Sequence, residues 1–116
     1  MQYKGSCHCG QIAFDVEGEL PAAVMSCNCS MCQRKGALMW FVPRSALVLQ
    51  TPADKMGTYL FNKHLIQHHF CPTCGIHPFG EALSPDGQAM AAINVRCLEG
   101  VDIASLAVQH YDGRAK

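Results

Sequence analysis

The sequence has no excess charge of either sign, no long apolar run and no apolar leader. Its 116 residues include 9 lysines and arginines and 9 aspartates and glutamates, so the formal net charge is zero. Nucleic-acid binding and acidic solvating tails both depend on a strong charge imbalance, so neither is expected. No apolar run approaches the ~18 residues of a membrane span, and no signal pattern precedes Cys7. We therefore expect a cytoplasmic protein with no nucleic-acid or membrane partner.

Charged residues are scarce, whereas apolar residues are plentiful. The charged share is 16% and the apolar share is 49%, against about 25% charged residues in ordinary soluble domains. A chain with this balance can bury a core, which excludes wholesale disorder. Its length suits one domain, and we expect residues 1–116 to form it.

Cysteine is the residue in excess, with 8 in the chain. A reducing compartment does not favour disulfides. Cys7 and Cys9 are separated by one residue, as are Cys27 and Cys29, and a disulfide between such near neighbours would be strained. Thiolates at this spacing suit a metal ion better, because sulfurs around tetrahedral zinc lie only ~3.8 Å apart.

The rest of the chain consists of short strand-like runs separated by turn signals. Ser30 is a candidate N-cap for a short helical turn that ends at Gly36, Ser84-Pro85-Asp86-Gly87 is a turn signal, and 101–108 fits a short helix or a loop. Strands are predicted over 11–17, 21–27, 38–42, 47–49, 58–61, 64–70, 76–79 and 89–95. The fold is therefore predicted to be mainly β with short helical turns.

Seven of the eight cysteines fall in three compact motifs, and Cys97 stands alone. The three motifs are Cys7-His8-Cys9-Gly10, Cys27-Asn28-Cys29-Ser30-Met31-Cys32 and Cys71-Pro72-Thr73-Cys74-Gly75. A single C-x-x-C is a weak signal. Three such motifs in one short chain indicate zinc, and two ions are expected.

The number of sulfurs in each motif separates two kinds of site. The first and third motifs together supply four, as in a closed structural zinc site: Cys7, Cys9, Cys71 and Cys74. The second motif supplies three and leaves one position open, as in a catalytic zinc site: Cys27, Cys29 and Cys32. In an alternative partition, Cys27 and Cys29 pair with the third motif, and the first motif is left free.

Zinc held by three thiolates suits sulfur chemistry. Its formal charge is 2 − 3 = −1, so it is a weak Lewis acid toward water but binds another soft sulfur well. Such an ion can hold a thiol as its nucleophilic thiolate near neutral pH. We therefore expect a small thiol to be the partner, with a carbon–sulfur bond made or broken at a carbonyl carbon.

The order of these motifs resembles the glutathione-dependent formaldehyde-activating enzyme family, also called the centromere protein V/formaldehyde-activating domain. The resemblance runs from about Tyr3 to Gly113 and includes Asn94-Val95-Arg96-Cys97-Leu98. It implies a β-tent of antiparallel sheets and condensation of glutathione with formaldehyde to S-hydroxymethylglutathione, a carbon–sulfur lyase reaction. It also implies a structural zinc on Cys7, Cys9, Cys71 and Cys74, and a second zinc on Cys27, Cys29 and Cys32.

The second motif has a simpler interpretation as another structural zinc site, completed by a histidine or by Cys97. Cys97 alone fits a buried core thiol better than a ligand. His64, His68 and His69 precede the third motif, and one of them could carry protons. Arg34 and Lys35 follow Cys32 and could hold a carboxylate, although a solvated helix end is the commoner outcome.

Aromatic residues are expected in the core, with one or two lining a substrate pocket. They are Trp40, Phe41, Tyr59, Phe61, Phe70 and Phe79. Three functions stay open: a carbon–sulfur lyase, a zinc-stabilised binding module with two structural sites, and a redox or metal-buffering protein using Cys27, Cys29 and Cys32.

Overall fold

The computed structural model describes residues 1–60 and 66–115, in which ten strands form two sheets. A three-stranded sheet has the order β1–β2–β5, and a seven-stranded sheet has the order β10–β3–β4–β9–β8–β7–β6. The strands are β1 (Gln2–Ser6), β2 (Ala13–Glu17), β3 (Ala23–Cys27), β4 (Met39–Pro43), β5 (Leu47–Leu49), β6 (Gly57–Tyr59), β7 (Gln67–Phe70), β8 (Phe79–Leu83), β9 (Ala89–Asn94) and β10 (Ala107–Tyr111).

Helical structure is short throughout these ranges. The α-helix α1 (Ser30–Lys35) lies between β3 and β4. Single 3-10 turns occupy Arg44–Ala46, Ala53–Lys55, Val95–Cys97, Ile103–Ser105 and Gly113–Ala115. The prediction of a mainly β fold, a β-tent with short helical turns, is confirmed. In the described ranges, no helix is long and apolar enough to cross a membrane.

The last strand is the main departure from the predicted pattern. Residues 101–108 were expected to form a helix or a loop, but a 3-10 turn is followed there by β10, which pairs with β3 in parallel. The other strand pairs are antiparallel in the part of the chain that the structure describes. Every residue of β10 is exposed, so this edge strand carries no alternation of apolar and polar residues that could reveal it.

Aromatic rings join the two sheets across the core. Phe14 of the small sheet meets Phe79 of the large sheet edge-on, with ring centroids 5.7 Å apart. Tyr3 and Trp40 make a second such contact at 5.8 Å. Phe14 is 1% exposed and Phe79 is fully buried, and edge-to-face rings at these distances are favourable beyond the area that they bury.

Not every aromatic residue lies in the core as predicted. Trp40 and Phe79 are buried, but Phe41 is 47% exposed and Tyr59 is 50% exposed. Phe41 alternates with the buried residues Trp40 and Val42 along β4, so its ring lies on the opposite face of the sheet. Phe61 lies outside the described residues.

The helix α1 begins one residue earlier than its expected cap implies. Its N-cap is Cys29 rather than Ser30, and the Cys29 sulfur accepts the backbone N–H of Cys32. Gly36 ends the helix in the left-handed conformation with φ 74°, as predicted. A candidate ligand therefore replaces the usual hydroxyl or carboxylate cap.

Two strand glycines are each covered by a phenylalanine ring on the neighbouring strand. Gly5 lies opposite Phe14 in the β1–β2 pair, and Gly57 lies opposite Phe70 in the β6–β7 pair. A Cβ atom at either glycine would overlap the ring. The absence of a side chain therefore leaves room for the far end of each ring over the glycine backbone.

We expect Gly5→Ala to lower the free energy of unfolding by about 1–3 kcal/mol, because the added methyl would push Phe14 out of its contact with Phe79. Urea denaturation of the wild-type protein and of Gly5→Ala measures this difference in the free energy of unfolding. Gln2→Ala, at an exposed position of the same strand, is the control and should change stability by less than about 0.5 kcal/mol. Equal midpoints for Gly5→Ala and Gln2→Ala would contradict the packing argument.

Candidate metal centres

Four cysteine sulfurs from two separate loops meet at one point. Cys7 and Cys9 lie in the β1–β2 loop of the small sheet, whereas Cys71 and Cys74 lie in the β7–β8 loop of the large sheet. Their sulfurs all lie within 4.8 Å of one another. The Cys7–Cys9 distance is 3.7 Å and the Cys9–Cys71 distance is 3.6 Å. Four sulfurs about 2.3 Å from a tetrahedral ion would lie ~3.8 Å apart, so the spacing suits zinc.

The first loop is shaped by backbone hydrogen bonds around Cys7. The Cys7 N–H donates to Ile12 at 3.0 Å, and the Gly10 N–H donates to the Cys7 carbonyl at 3.2 Å. The Ile12 N–H then donates to the Cys7 sulfur at 3.3 Å. Gly10 has φ 85°, which favours glycine and explains the residue after the second cysteine.

The third motif repeats this arrangement around Cys71. The Cys71 N–H donates to Ile76 at 2.9 Å, and the Gly75 N–H donates to the Cys71 carbonyl at 2.8 Å. The Cys74 N–H points at the Cys71 sulfur from 3.4 Å, and Gly75 has φ 80°. Both loops thus direct backbone N–H groups at sulfur, which stabilises the thiolate that a metal requires.

The thiols of this group have divergent acidities. Backbone N–H groups of Cys9 and Ile76 lower the pKa of Cys74 to about 6. The amide of Gln11 acts to lower the pKa of Cys9, but removal from water and the neighbouring thiols outweigh it and raise that pKa to about 11. Adjacent thiols cannot all ionise readily, because their negative charges repel one another. A divalent cation would supply the charge that lets all of them act as ligands.

The second motif brings three sulfurs together at the end of β3. Cys27 is the last residue of β3, Cys29 caps α1, and Cys32 lies in the first turn of that helix. Their sulfurs lie within 4.8 Å of one another. The Cys29 N–H points at the Cys27 sulfur from 3.5 Å, and the Cys32 N–H points at the Cys29 sulfur from 3.3 Å.

This trio differs from the four-thiol group in its number of ligands. Over residues 1–60 and 66–115, no histidine, aspartate, glutamate or further cysteine joins Cys27, Cys29 and Cys32 in the group. Burial raises the pKa of the Cys32 thiol to about 12, with its cysteine neighbours adding to the effect. Burial acts to raise the pKa of Cys29, but hydrogen bonds with the Cys32 amide, the thiols of Cys32 and Cys27 and the Met31 amide together outweigh it and lower that pKa.

The partition of sulfurs follows the four-plus-three arrangement rather than the alternative that pairs Cys27 and Cys29 with the third motif. Cys97 joins neither group. It lines a separate cavity of about 400 Å³ beside Cys7 and His77. Burial raises its pKa to about 11.

Of the three histidines before the third motif, His68 and His69 lie in the described residues, and their surroundings differ. His69 is buried, and its Nε2–H donates to Glu81 at 2.6 Å while Thr58 donates to its Nδ1 at 2.9 Å. Arg44 donates to the other oxygen of Glu81. Burial acts to raise the pKa of Glu81, but these two partners outweigh it and lower that pKa. His69 therefore serves a polar cluster within the large sheet.

His68 precedes His69 on β7, so its side chain lies on the opposite face of the sheet. There it lines a cavity next to Cys27, Cys29 and Cys32. Burial and the charge of Lys35 lower its pKa to about 4, so its ring is neutral at pH 7. His64 lies outside the described residues, and its candidate role as a proton carrier or ligand stays a prediction.

A cavity of about 500 Å³ opens directly beside the trio. Cys27, Cys29, Cys32 and Lys35 all contribute to its wall. Burial lowers the pKa of Lys35, and the thiols of Cys32 and Cys29 oppose that shift. Only half of the predicted cationic pair reaches the cavity wall, because exposed Arg34 donates to the Ser30 carbonyl of its own helix at 2.9 Å.

The C-terminal segment completes this wall, which sequence reasoning missed. Asn28 donates to Asp112 at 3.0 Å and accepts the Arg114 N–H at 2.9 Å. Gly113 lies so close to Cys27 that a Cβ atom there would be 2.5 Å from the sulfur. Tyr111, Gly113 and Arg114 all line the cavity. These residues are more than 80 positions from Asn28, and no local pattern connects them.

Together, the fold and the two thiol groups define a mainly β protein with two clusters of cysteine that could hold metal ions. Residues 2–111 match the family described as glutathione-dependent formaldehyde-activating enzyme. Because this match spans nearly the whole chain, the protein belongs to that family, as its motifs had indicated.

A solved structure supports the same relationship. The crystal structure of a Rhodobacter sphaeroides protein, a structural genomics target, superposes with a TM-score of 0.78 at 31% sequence identity. The alignment covers 91% of this chain and 99% of the other chain. The similarity therefore extends over the whole architecture of that protein.

Asn28→Ala should release the C-terminal segment from the trio, because the Arg114 N–H loses its acceptor and Asp112 loses its donor. Each hydrogen bond contributes about 1 kcal/mol, so exchange of the Arg114 amide hydrogen should become about tenfold faster or more. Hydrogen exchange followed by mass spectrometry or NMR measures it. Ser30→Ala, two positions away on the exposed surface, should leave the rate unchanged. If Asn28→Ala also leaves the exchange rate unchanged, Asn28 does not hold the C-terminal segment against the trio.

Proposed function

We propose that the protein is a zinc-binding carbon–sulfur lyase that acts on a small thiol adduct, formed from a glutathione-type thiol and an aldehyde. The observation that carries this proposal is the trio of Cys27, Cys29 and Cys32, which joins no fourth ligand within the described residues and lines a cavity of about 500 Å³. In this proposal the trio is the catalytic zinc site. The second zinc is structural and is held by Cys7, Cys9, Cys71 and Cys74.

The proposed reaction is an addition in which no electrons pass to or from a cofactor. A thiol sulfur forms a bond to the aldehyde carbon, and the carbonyl π pair moves to oxygen. That oxygen takes up the proton that the thiol gives up, so the product is an S-(hydroxyalkyl) adduct. The reverse reaction breaks the carbon–sulfur bond, which is the lyase direction.

A zinc ion on the trio would supply the positive charge that keeps a thiol ionised near neutral pH. Residues of the chain perform the other tasks. Lys35 on the cavity wall offers a cation for a substrate carboxylate. The hydroxyl group of Tyr111, also on the wall, is a hydrogen-bond donor that could reach the carbonyl oxygen. Backbone N–H groups of Cys29 and Cys32 orient the sulfurs of the trio.

Two further parts of the proposal concern the setting of the reaction. All eight cysteines are free thiols, which suits the reducing cytoplasm, and we place the protein there. We also propose that residues 1–116 act as one domain, since the four-thiol group joins loops of both sheets.

Removing a ligand should have different consequences at the two sites. We expect Cys74→Ser to unfold or aggregate the protein, because a closed zinc site contributes on the order of 10 kcal/mol to folding. Cys29→Ser should lose one equivalent of zinc and keep most of the β-sheet circular dichroism. Metal analysis and thermal denaturation of both variants measure this. Equal collapse of the two variants would mean that both sites are structural.

The open position can be tested with cobalt in place of zinc. Adding glutathione to the loaded protein should change the cobalt absorption spectrum, because the incoming sulfur alters the coordination of the trio.

Lys35→Met should weaken glutathione binding about tenfold through loss of one charge-assisted contact. Its neighbour Arg34→Met, which removes a cation bonded to its own helix, should change binding less than twofold.

A cobalt spectrum that never responds to thiol would overturn the catalytic proposal. The protein would then be the zinc-stabilised binding module with two structural sites. Equal losses in Lys35→Met and Arg34→Met would show that the effect is general electrostatics and that Lys35 holds no carboxylate.

A further inference from the structure

The large sheet has two apolar faces, and the small sheet covers only one of them. On β4 and β9, the buried residues Trp40, Val42, Ala91 and Ile93 alternate with residues on the opposite face. That opposite face forms the floor of the cavity. Its residues include Met25, Met39, Phe41, Met90, Ala82 and Ala92.

Strand register arranges this floor as a depression with bulky edges. Phe41 of β4 pairs with Ala92 of β9, which pairs with Gly80 of β8. Across these three strands the side chains therefore shrink from a phenyl ring to a methyl group to a hydrogen atom. In the next row Met90 pairs with Ala82. Small residues at the centre and flexible or aromatic ones around it form an apolar recess rather than a flat surface.

The recess and the trio belong to one continuous site. Met25 and Cys27 lie two residues apart on β3 and therefore face the same side of the sheet. Met25 pairs with Met39 of β4, which continues the floor toward Phe41. The same cavity also contains Lys35 and Arg114. Its cations lie with the cysteines. Its floor is apolar apart from His68 and Glu81 on the β7 and β8 side, where the Glu81 carboxylate is already bound by His69 and Arg44.

We propose that the aldehyde handled at this site carries an alkyl or aryl group of several carbons, rather than being formaldehyde. This inference rests on the proposed function and names the substrate class of that site. Formaldehyde has two non-hydrogen atoms, about the size of two water molecules at ~30 Å³ each. It would leave the apolar floor exposed to water, whereas a longer chain would cover it.

The division of charge within the cavity sets the orientation of this adduct. The carboxylates of a glutathione-type thiol are attracted to Lys35 and Arg114, while the sulfur lies at the trio. The group on the carbonyl carbon then extends over Phe41 and Met90. The carbon–sulfur bond forms as before, the thiol proton passes to the carbonyl oxygen, and the apolar group is chemically unchanged.

The inference can be tested with stable thioether analogues, S-methylglutathione and S-hexylglutathione. Their binding to the zinc-loaded protein is measured by titration calorimetry, which does not depend on turnover. Burial of each methylene favours binding about fourfold, so with partial burial of the chain the hexyl compound should bind at least ~30-fold more tightly. Phe41→Gln and Met90→Gln should reduce this ratio to a third or less of its value.

Val48→Gln is the matched control, since Val48 is 53% exposed on the small sheet and is not part of the cavity wall. It should leave the ratio unchanged. Phe41 is similarly exposed, so its replacement should spare the fold, which circular dichroism confirms before the titration. Equal affinities for the two analogues, or a preference that survives both floor substitutions, would overturn the inference.

Failure of the inference is distinguishable from failure of the proposed function. If glutathione alters the cobalt spectrum but the hexyl group brings no advantage, the lyase proposal stands and the larger aldehyde is excluded. If the hexyl preference depends on Phe41 but glutathione never alters the spectrum, the recess binds apolar groups and the lyase proposal fails. A third outcome is that the protein is a dimer, that Phe41→Gln converts it to a monomer and that neither analogue binds. The apolar face would then be a contact between two copies of the chain, and the inference would be overturned.

Discussion

The convergence of two loops on four sulfur atoms is the constraint from which the rest of the architecture follows. One loop leaves the small sheet and the other leaves the large sheet, yet their sulfurs all lie within 4.8 Å. The same hydrogen-bond pattern shapes both loops, with a left-handed glycine after the second cysteine in each. A small domain has little core with which to hold two sheets in register, and a metal at this junction would stabilise their alignment directly.

The trio differs from this junction because all of its sulfurs come from one short segment. Cys27, Cys29 and Cys32 are placed by a strand end and a helical cap, so they join no distant parts of the fold. What the rest of the chain adds is the surrounding wall. The C-terminal segment packs against Cys27 and is hydrogen-bonded to Asn28. Lys35 adds a positive charge to the cavity wall, and the uncovered sheet face forms its apolar floor. Three neighbouring thiols and a wall from distant parts of the chain together line one cavity.

Much of the fold and all of the clustered cysteines were predictable because their signals are local. Alternation along β2, the apolar run of β4, the glycine after α1 and the turn at Ser84–Gly87 each depend on a few neighbouring residues. β10 escaped prediction because it is exposed along its whole length. The helix cap was misplaced by one residue because a cysteine sulfur took the role expected of the Ser30 hydroxyl. Tyr59 was expected in the core and is exposed, because residue type does not tell which sheet face is covered, whereas Phe41 fits the expectation that one or two aromatic residues line a pocket.

The sequence by itself determined which sulfurs are available, how each motif folds locally and to which family the chain belongs, since these depend on residue types at short spacings. Tertiary structure alone decided that the first motif meets the third, that Cys97 lies in a separate cavity and that His69 turns to Glu81 rather than to the trio. It also decided that Phe41 and Met90 form a cavity floor. The reason is physical: contacts between distant strands are set by sheet order and by which face the second sheet covers, and neither is encoded in any short window of residues.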